Sequence, residues 1–356
     1  MDIRLKRYAE TIVQYSAYIQ PKEVVLLRGT PACQPALVAL YEAVLKQGGM
    51  PIMQMIPDVC HEMLLKYGHD FVFDEPNAYD LAAYDGVDVR IHILSSENTR
   101  GLTSADSEKQ GRMSRSSSRI RQKMSDKKWV ISLFPTAAYA QDADMSLREF
   151  EDFVYSACFC DEEDPVAAWK ALGAYQDRLI ASLEGAEHVR VLGEDTDLSF
   201  SIAGRTFINS AGTRNFPSGE IFTGPIEDSA NGHIRYDFPV CHGGREIEGI
   251  RLVFENGEVV EATAEKNQDF LLSQLNLDPG ARRLGELGIG TNQRIQRFTK
   301  NILFDEKIGG TVHLALGNSY PETGATNQST LHWDMIKDLR SEGQLLIDGQ
   351  PINMDV

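Results

Sequence analysis

The chain has 356 residues, 42% hydrophobic and 24% charged, which suits two domains with cores of their own. Its 52 acidic residues against 35 basic ones give a formal net charge of −17, which excludes nucleic acid or an anionic membrane as the main partner. No run of 18 apolar residues is present to span a bilayer, and five cysteines, an odd number, point to a reducing, cytoplasmic setting rather than a disulfide framework.

The first half alternates helical and strand patterns. The N-terminus has no leader-peptide pattern, and residues 4–18 carry helical periodicity. Residues 23–29 (EVVLLRG) predict a buried strand ending at glycine. A helix over 34–48 stops at Gly48-Gly49. Residues 51–55, 89–94 and 129–134 predict further strands. Apolar strands separated by helices imply a largely parallel sheet with covered faces. Residues 107–128 hold eight of the 35 basic residues: Lys109, Arg112, Arg115, Arg119, Arg121, Lys123, Lys127 and Lys128. They read as a solvated helix face; the other reading is a positive rim that receives a carboxylate. Residues 146–186 predict two helices broken near Pro165, with Cys158 and Cys160 read as helix residues.

The second half changes character. Residues 189–192 and 198–202 predict short strands, and 250–260 a hairpin turning at Asn256-Gly257. Glycines crowd this half, with pairs at Gly243-Gly244 and Gly309-Gly310, which suggests antiparallel strands with tight corners. The expected fold class is therefore α/β: an N-terminal α/β domain over 1–187, then a mostly antiparallel α+β domain over 188–356.

The second half also gathers groups fit for metal chemistry. In an extended segment, His332 and Asp334 project to one face with Trp333 on the other. A histidine and a carboxylate so placed make a metal-ligand pair. His313 lies in a glycine-flanked strand pattern (GTVHLALG), and Glu286 lies in GELGIG. Glu220 lies in NFPSGEIFT, and Glu306 ends ILFDE. Each of these carboxylates sits beside glycine or at the end of an apolar run. A carboxylate buried there must be paired or bind metal, because desolvating it alone is costly.

Four stretches, NFPSGEIFTGP, GELGIGTN, ILFDEKIGGTVHLALGNSYPE and NQSTLHWDMIKDL, closely resemble the thermophilic aminopeptidase family of dinuclear metallopeptidases. The N-terminal half resembles it more loosely, through YSAYIQPKEVVLLRG and Phe134-Pro135. The resemblance implies a metal-dependent aminopeptidase acting on peptides with a free N-terminus. Carried over by motif, the metal ligands fall on Glu220, Glu286, His313, His332 and Asp334, with Glu286 as the bridging carboxylate. Glu306 falls close to the metals, and Tyr320 on the catalytic tyrosine. Two divalent ions (Zn, Co or Mn) and a bridging water or hydroxide are implied, with either Glu220 or Glu306 as general base. The spacer between Glu306 and His313 is longer than in the best-known members, and the segment from His313 to His332 shorter. A homodimer is implied as well. Two other readings stay open. One is a mononuclear non-heme Fe(II) ring-cleaving dioxygenase of the dihydroxypyridine type, using His332, Asp334 and His313. The other is a non-catalytic metal-binding protein.

Overall fold

Four apolar runs of the first half become parallel strands: β1 (Val24–Gly29), β2 (Met50–Met55), β3 (Val89–Leu94) and β4 (Lys128–Leu133). The computed structural model describes residues 2–124, 126–242 and 245–352, so the Gly243-Gly244 pair lies outside the described residues. The strands run in the order β2-β1-β3-β4, and all three pairings are parallel. Val25, Leu27, Val89, Ile91 and Val130 are buried, as in a sheet covered by helices.

Contacts divide the chain into two units. One is 1–168 with 212–217, and the other is 169–211 with 218–356. The division falls at Ala168/Trp169 rather than near residue 187. Helix Pro165–Ser182 explains this: Gln176 Nε2 donates to the Glu220 carbonyl and to Thr291 Oγ1, both at 2.9 Å. Asn209 Nδ2 donates to the Gly173 carbonyl at 2.9 Å. These bonds tie the helix to the second unit's sheet. Conversely, Asn215–Phe216 returns to the first sheet as a short parallel strand beside β4. Ser132 Oγ donates to the Phe216 carbonyl and in turn accepts from the Tyr8 hydroxyl at 2.5 Å.

Two local differences from the expectations have physical causes. Cys158 and Cys160 lie beyond the end of helix Leu147–Ala157, because Phe159 takes a left-handed φ of 56° that no helix continues. The basic segment forms helix Ser107–Met124, and much of its charge is answered within the first unit. Arg112 pairs with Asp74 at 2.9 Å and Asp70 at 3.3 Å, Arg119 with Glu75 at 3.2 Å, and Lys123 with Asp85. Lys127 Nζ donates to the Tyr84 carbonyl at 2.7 Å, and Lys128 pairs with Glu23 at 2.7 Å. The Arg121 side chain lies outside the described ones.

The second unit is antiparallel. One sheet contains the predicted hairpin, Arg251–Glu255 with Glu258–Thr263, turning at Asn256 (φ 49°) and Gly257 (φ 83°). That pair of positive φ angles is what an Asn-Gly hairpin turn requires. The other sheet holds β5 (Ile208–Ser210), β6 (Glu220–Thr223), β7 (Leu284–Gly290), β8 (Thr311–Gly317) and β9 (His332–Asp338), in the spatial order β9-β8-β7-β6-β5. One of its faces supplies Leu287, Ile289, Val312, Leu314, Leu316, Trp333 and Met335 to the unit's core, all at most 2% exposed. The opposite face carries the site.

Candidate metal centre

Strand alternation decides which side chains share the polar face. The register pairs Glu286 of β7 with Ala315 of β8, and Ala315 with Asp334 of β9. Gly288 lies opposite His313, Gly290 opposite Glu220 of β6, and Gly317 opposite His332. Small residues therefore alternate with ligand-type residues along and across the sheet. The reason is space. A Cβ on Gly288 would come within 1.9 Å of His313 Cε1, so the imidazole lies flat over a strand that must lack a side chain there. A register shift between Leu284 and Glu286 adds a bulge at Gly285. It lets Leu284 and Leu287 both face the core while Glu286 faces the site.

The structure brings the five residues proposed as ligands together. His313 Nε2 lies 3.5 Å from Glu220 Oε2 and 3.5 Å from Glu286 Oε1. His332 Nε2 lies 3.4 Å from Glu286 Oε2 and 3.5 Å from Asp334 Oδ2. Three groups have ligand atoms mutually within 4.8 Å: Glu220/Glu286/His313, Glu286/His332/Asp334, and Glu306/His313/Asp334. Glu286 belongs to the first two. His332 Nδ1 bonds to the Asn318 carbonyl at 2.8 Å. Since a carbonyl only accepts, Nδ1 carries a proton, and in the neutral ring Nε2 is left with its lone pair toward the cluster.

The residues fit a divalent cation. Glu220 Oε2, His313 Nδ1 and Asp334 Oδ1 are buried and have no hydrogen-bond partner. Each such atom costs about 1–3 kcal/mol unless something satisfies it. The electrostatics point the same way. Burial works against the charged imidazole of His313, yet Glu286, Glu220 and Asp334 together hold its pKa above the usual histidine value. At His332, Asp334, Glu286 and the Asn318 carbonyl likewise outweigh burial. The carboxylates draw positive charge onto both rings, the demand a metal would meet.

Glu306 is buried at the end of helix Ile302–Asp305 and contacts Lys307. The reading of the sequence did not include Lys307. This lysine is fully buried, and its Nζ lies 3.1 Å from Glu220 Oε1 as well as against Glu306 Oε1. The signal was present in the FDEK run, where a lysine follows two acids inside an otherwise apolar segment. With both imidazoles neutral, as metal ligands must be, four carboxylates and one buried lysine leave three net negative charges for cations to balance. Tyr320 stacks edge-on against His332, with ring centres 5.2 Å apart, and packs on Phe222 at 5.3 Å. Burial, then Glu286, Asp334 and Glu220, push its phenol well above the ordinary range, so the hydroxyl keeps its proton. A pocket lined by Phe238, Val240, Phe298, Ile302 and Ile336 opens onto His332 and Asp334. Phe238 and Phe298 stack at 4.7 Å and form its aromatic wall. No alternation marks these wall residues in the sequence.

Comparison with known proteins accords with this geometry. A family model described as thermophilic metalloprotease (M29) matches residues 1–350. Aminopeptidase 2 of Geobacillus stearothermophilus is 31% identical over 252 residues, covering 64% of this chain and 60% of that protein. Aminopeptidase T of Thermus thermophilus is 30% identical over 207 residues, covering 54% and 50%. The chain thus spans between half and three fifths of the length of these two curated relatives. The solved structure of wild-type AmpT from Thermus thermophilus superposes with a TM-score of 0.85 at 22% identity. That match covers 98% of this chain and 96% of the other, and carries the fold.

Proposed function

The chain belongs to the thermophilic metalloprotease family M29, and from that premise we propose that it is a metal-dependent aminopeptidase releasing N-terminal residues from peptides. The observation that carries this reading is the pair of ligand triads sharing Glu286, with three buried polar atoms of these residues left without a hydrogen bond. Glu220 and His313 would hold one cation, His332 and Asp334 a second, and Glu286 both. The donor set of imidazole and carboxylate suits Zn²⁺, Co²⁺ or Mn²⁺. When bound, two such ions supply Lewis acidity, an anchor for a free α-amine and a nucleophile generated from water at neutral pH.

The chain's own groups do the rest. Glu220 has an unpartnered Oε2 within the first triad, which favours it as a ligand. That leaves Glu306 as the general base: one of its oxygens accepts the attacking water's proton and returns it to the leaving amine nitrogen. Lys307 holds this carboxylate in place. The Tyr320 hydroxyl donates to the carbonyl oxygen as negative charge develops there. The wall of Phe238 and Phe298 receives the side chain of the N-terminal residue and keeps water from it.

We extend the proposal to a cytoplasmic homodimer. Among the described residues no helix is long and apolar enough to cross a membrane, and none of the five cysteines is joined in a disulfide. Edge strand β2 exposes Met50 and Ile52, and helix Asp58–Tyr67 exposes Val59 and Met63, each at 48–52%. An apolar edge of this kind fits a surface that a second copy covers. The test of function is hydrolysis of a leucine-linked chromogenic amide by the full chain. Chelation should abolish release of the amine, and Zn²⁺, Co²⁺ or Mn²⁺ should restore it; release unaffected by chelation would overturn the reading.

A further inference from the structure

The first unit holds a group of basic side chains that the proposed chemistry leaves unused. Arg28 stands fifth in β1, and Arg90 and His92 stand second and fourth in β3. Alternation puts Arg90 and His92 on one face of the sheet, and the register sets Arg28 beside His92 on that face. Leu26, Tyr84, Val87 and Met124 form a small apolar cluster on this part of the unit.

Among the described residues the two guanidinium groups lack counter-charges. Arg28 Nη1 donates to the Tyr84 hydroxyl at 2.7 Å, and Arg90 Nη2 to His92 Nδ1 at 3.2 Å. Arg90 Nε is buried with no partner. Among the described residues neither guanidinium forms an ion pair, whereas Arg4, Arg112, Arg190, Arg205, Arg251 and Arg340 each do. The nearby Asp58 carboxylate accepts from Ser96 Oγ at 2.8 Å and from the Glu97 amide. In a chain with 52 acids to 35 bases, two neighbouring, partly buried arginines without an acid are an unbalanced charge, and such charges are normally paired. Burial, then Arg90 and Arg28, hold His92 down to about 4. With Nδ1 accepting from Arg90, the ring keeps its proton on Nε2 as a donor.

Their position has a topological meaning. The chain runs from β1 outward to β2, then back across to β3 on the other side of β1. The strand order therefore reverses between β1 and β3, and in open α/β sheets ligands bind outside the carboxyl ends of the strands at such a point; Arg28 and His92 stand near those ends, while Arg90, level with Leu26, lies further back on the same face. Just beyond those ends the Thr30 and Ser95 hydroxyls meet at 2.8 Å.

We propose that Arg28, Arg90 and His92 form a binding site for a small oxyanion, a phosphate or a free carboxylate, at the β1/β3 switch point. Two guanidinium forks offer the paired N–H donors that both anions accept. The test is thermal unfolding of the full chain titrated with inorganic phosphate, with acetate, and with chloride at matched ionic strength. A saturating rise in Tm with phosphate or acetate, absent with chloride, is expected, and which anion saturates identifies the source. Arg90→Gln should weaken the apparent affinity about 10- to 100-fold, while Lys46→Gln, which removes an exposed pair with Glu42, should leave it unchanged. Arg28→Gln gives the same comparison if Arg90→Gln does not fold. No anion-specific shift in the wild type, or an undiminished shift in either folded arginine variant, overturns the site.

Discussion

Lys307 alters the charge arithmetic of the candidate centre. A fully buried ammonium beside Glu220 and Glu306 must be worth more in place than absent, because removing one partner of a buried pair leaves the other uncompensated. Lys307→Met is expected to lower the stability of the metal-free protein by roughly 3–5 kcal/mol. Loading with divalent cations should recover much of that loss, since they take over the neutralising role. Denaturant titration with and without metal checks this, and an equal loss in both states would count against a cation site beside Glu220. Tyr320 makes a different prediction. Its hydroxyl is held protonated beside the cluster, so Tyr320→Phe should bind metal normally yet lower kcat by about 10²- to 10³-fold, the usual effect of deleting one oxyanion donor. Steady-state kinetics with metal analysis decides, and unchanged turnover removes Tyr320 from the reaction.

At the scale of elements, the site depends on strands that are bare where the ligands need room. Gly288→Ala would set a methyl group 1.9 Å from the His313 ring, so either the ring or β7 must move. The expected result is a destabilisation of about 1–3 kcal/mol together with weakened metal retention, read by thermal unfolding and metal analysis. Retention equal to wild type would show that His313 is not held as described. These strands also explain what could be read in advance. Alternation alone put His332 and Asp334 opposite Trp333, and apolar runs alone placed β1 to β4. The gathering of Glu220, Glu286 and His313 could not be read from periodicity, because it depends on cross-strand register and on the bulge at Gly285. It was legible only through the family's motifs. Lys307 and the Phe238–Phe298 wall were missed because neither lies on a strand of that sheet, where period two would expose it. Arg28 was passed over for the opposite reason: the run EVVLLRG reads as a buried strand, and one charge near its end does not disturb the pattern.

At the scale of the whole molecule, the chain is two units whose segments interleave. The sequence hides this, since the returning strand Asn215–Phe216 is only two residues long and carries no periodicity. The units should also answer to different conditions. In the first unit His92 is kept neutral by burial and by Arg90 and Arg28, with its pKa lowered to about 4 from the ordinary 6.5. Between those two values the unfolded chain takes up a proton that the folded one refuses. Stability present above pH 6.5 is therefore lost as pH falls toward 4, by roughly 3 kcal/mol in all. In chloride buffer, His92→Asn should flatten that part of the stability–pH curve, and an unaltered slope would contradict the assignment. The second unit should respond to metal instead. The most direct test of the central claim is therefore the metal content of the purified full chain, measured beside that of Glu286→Ala. Two divalent ions per wild-type chain, with loss of tight retention in the variant, is the predicted result. One iron per chain, or a variant that keeps two ions, would contradict it.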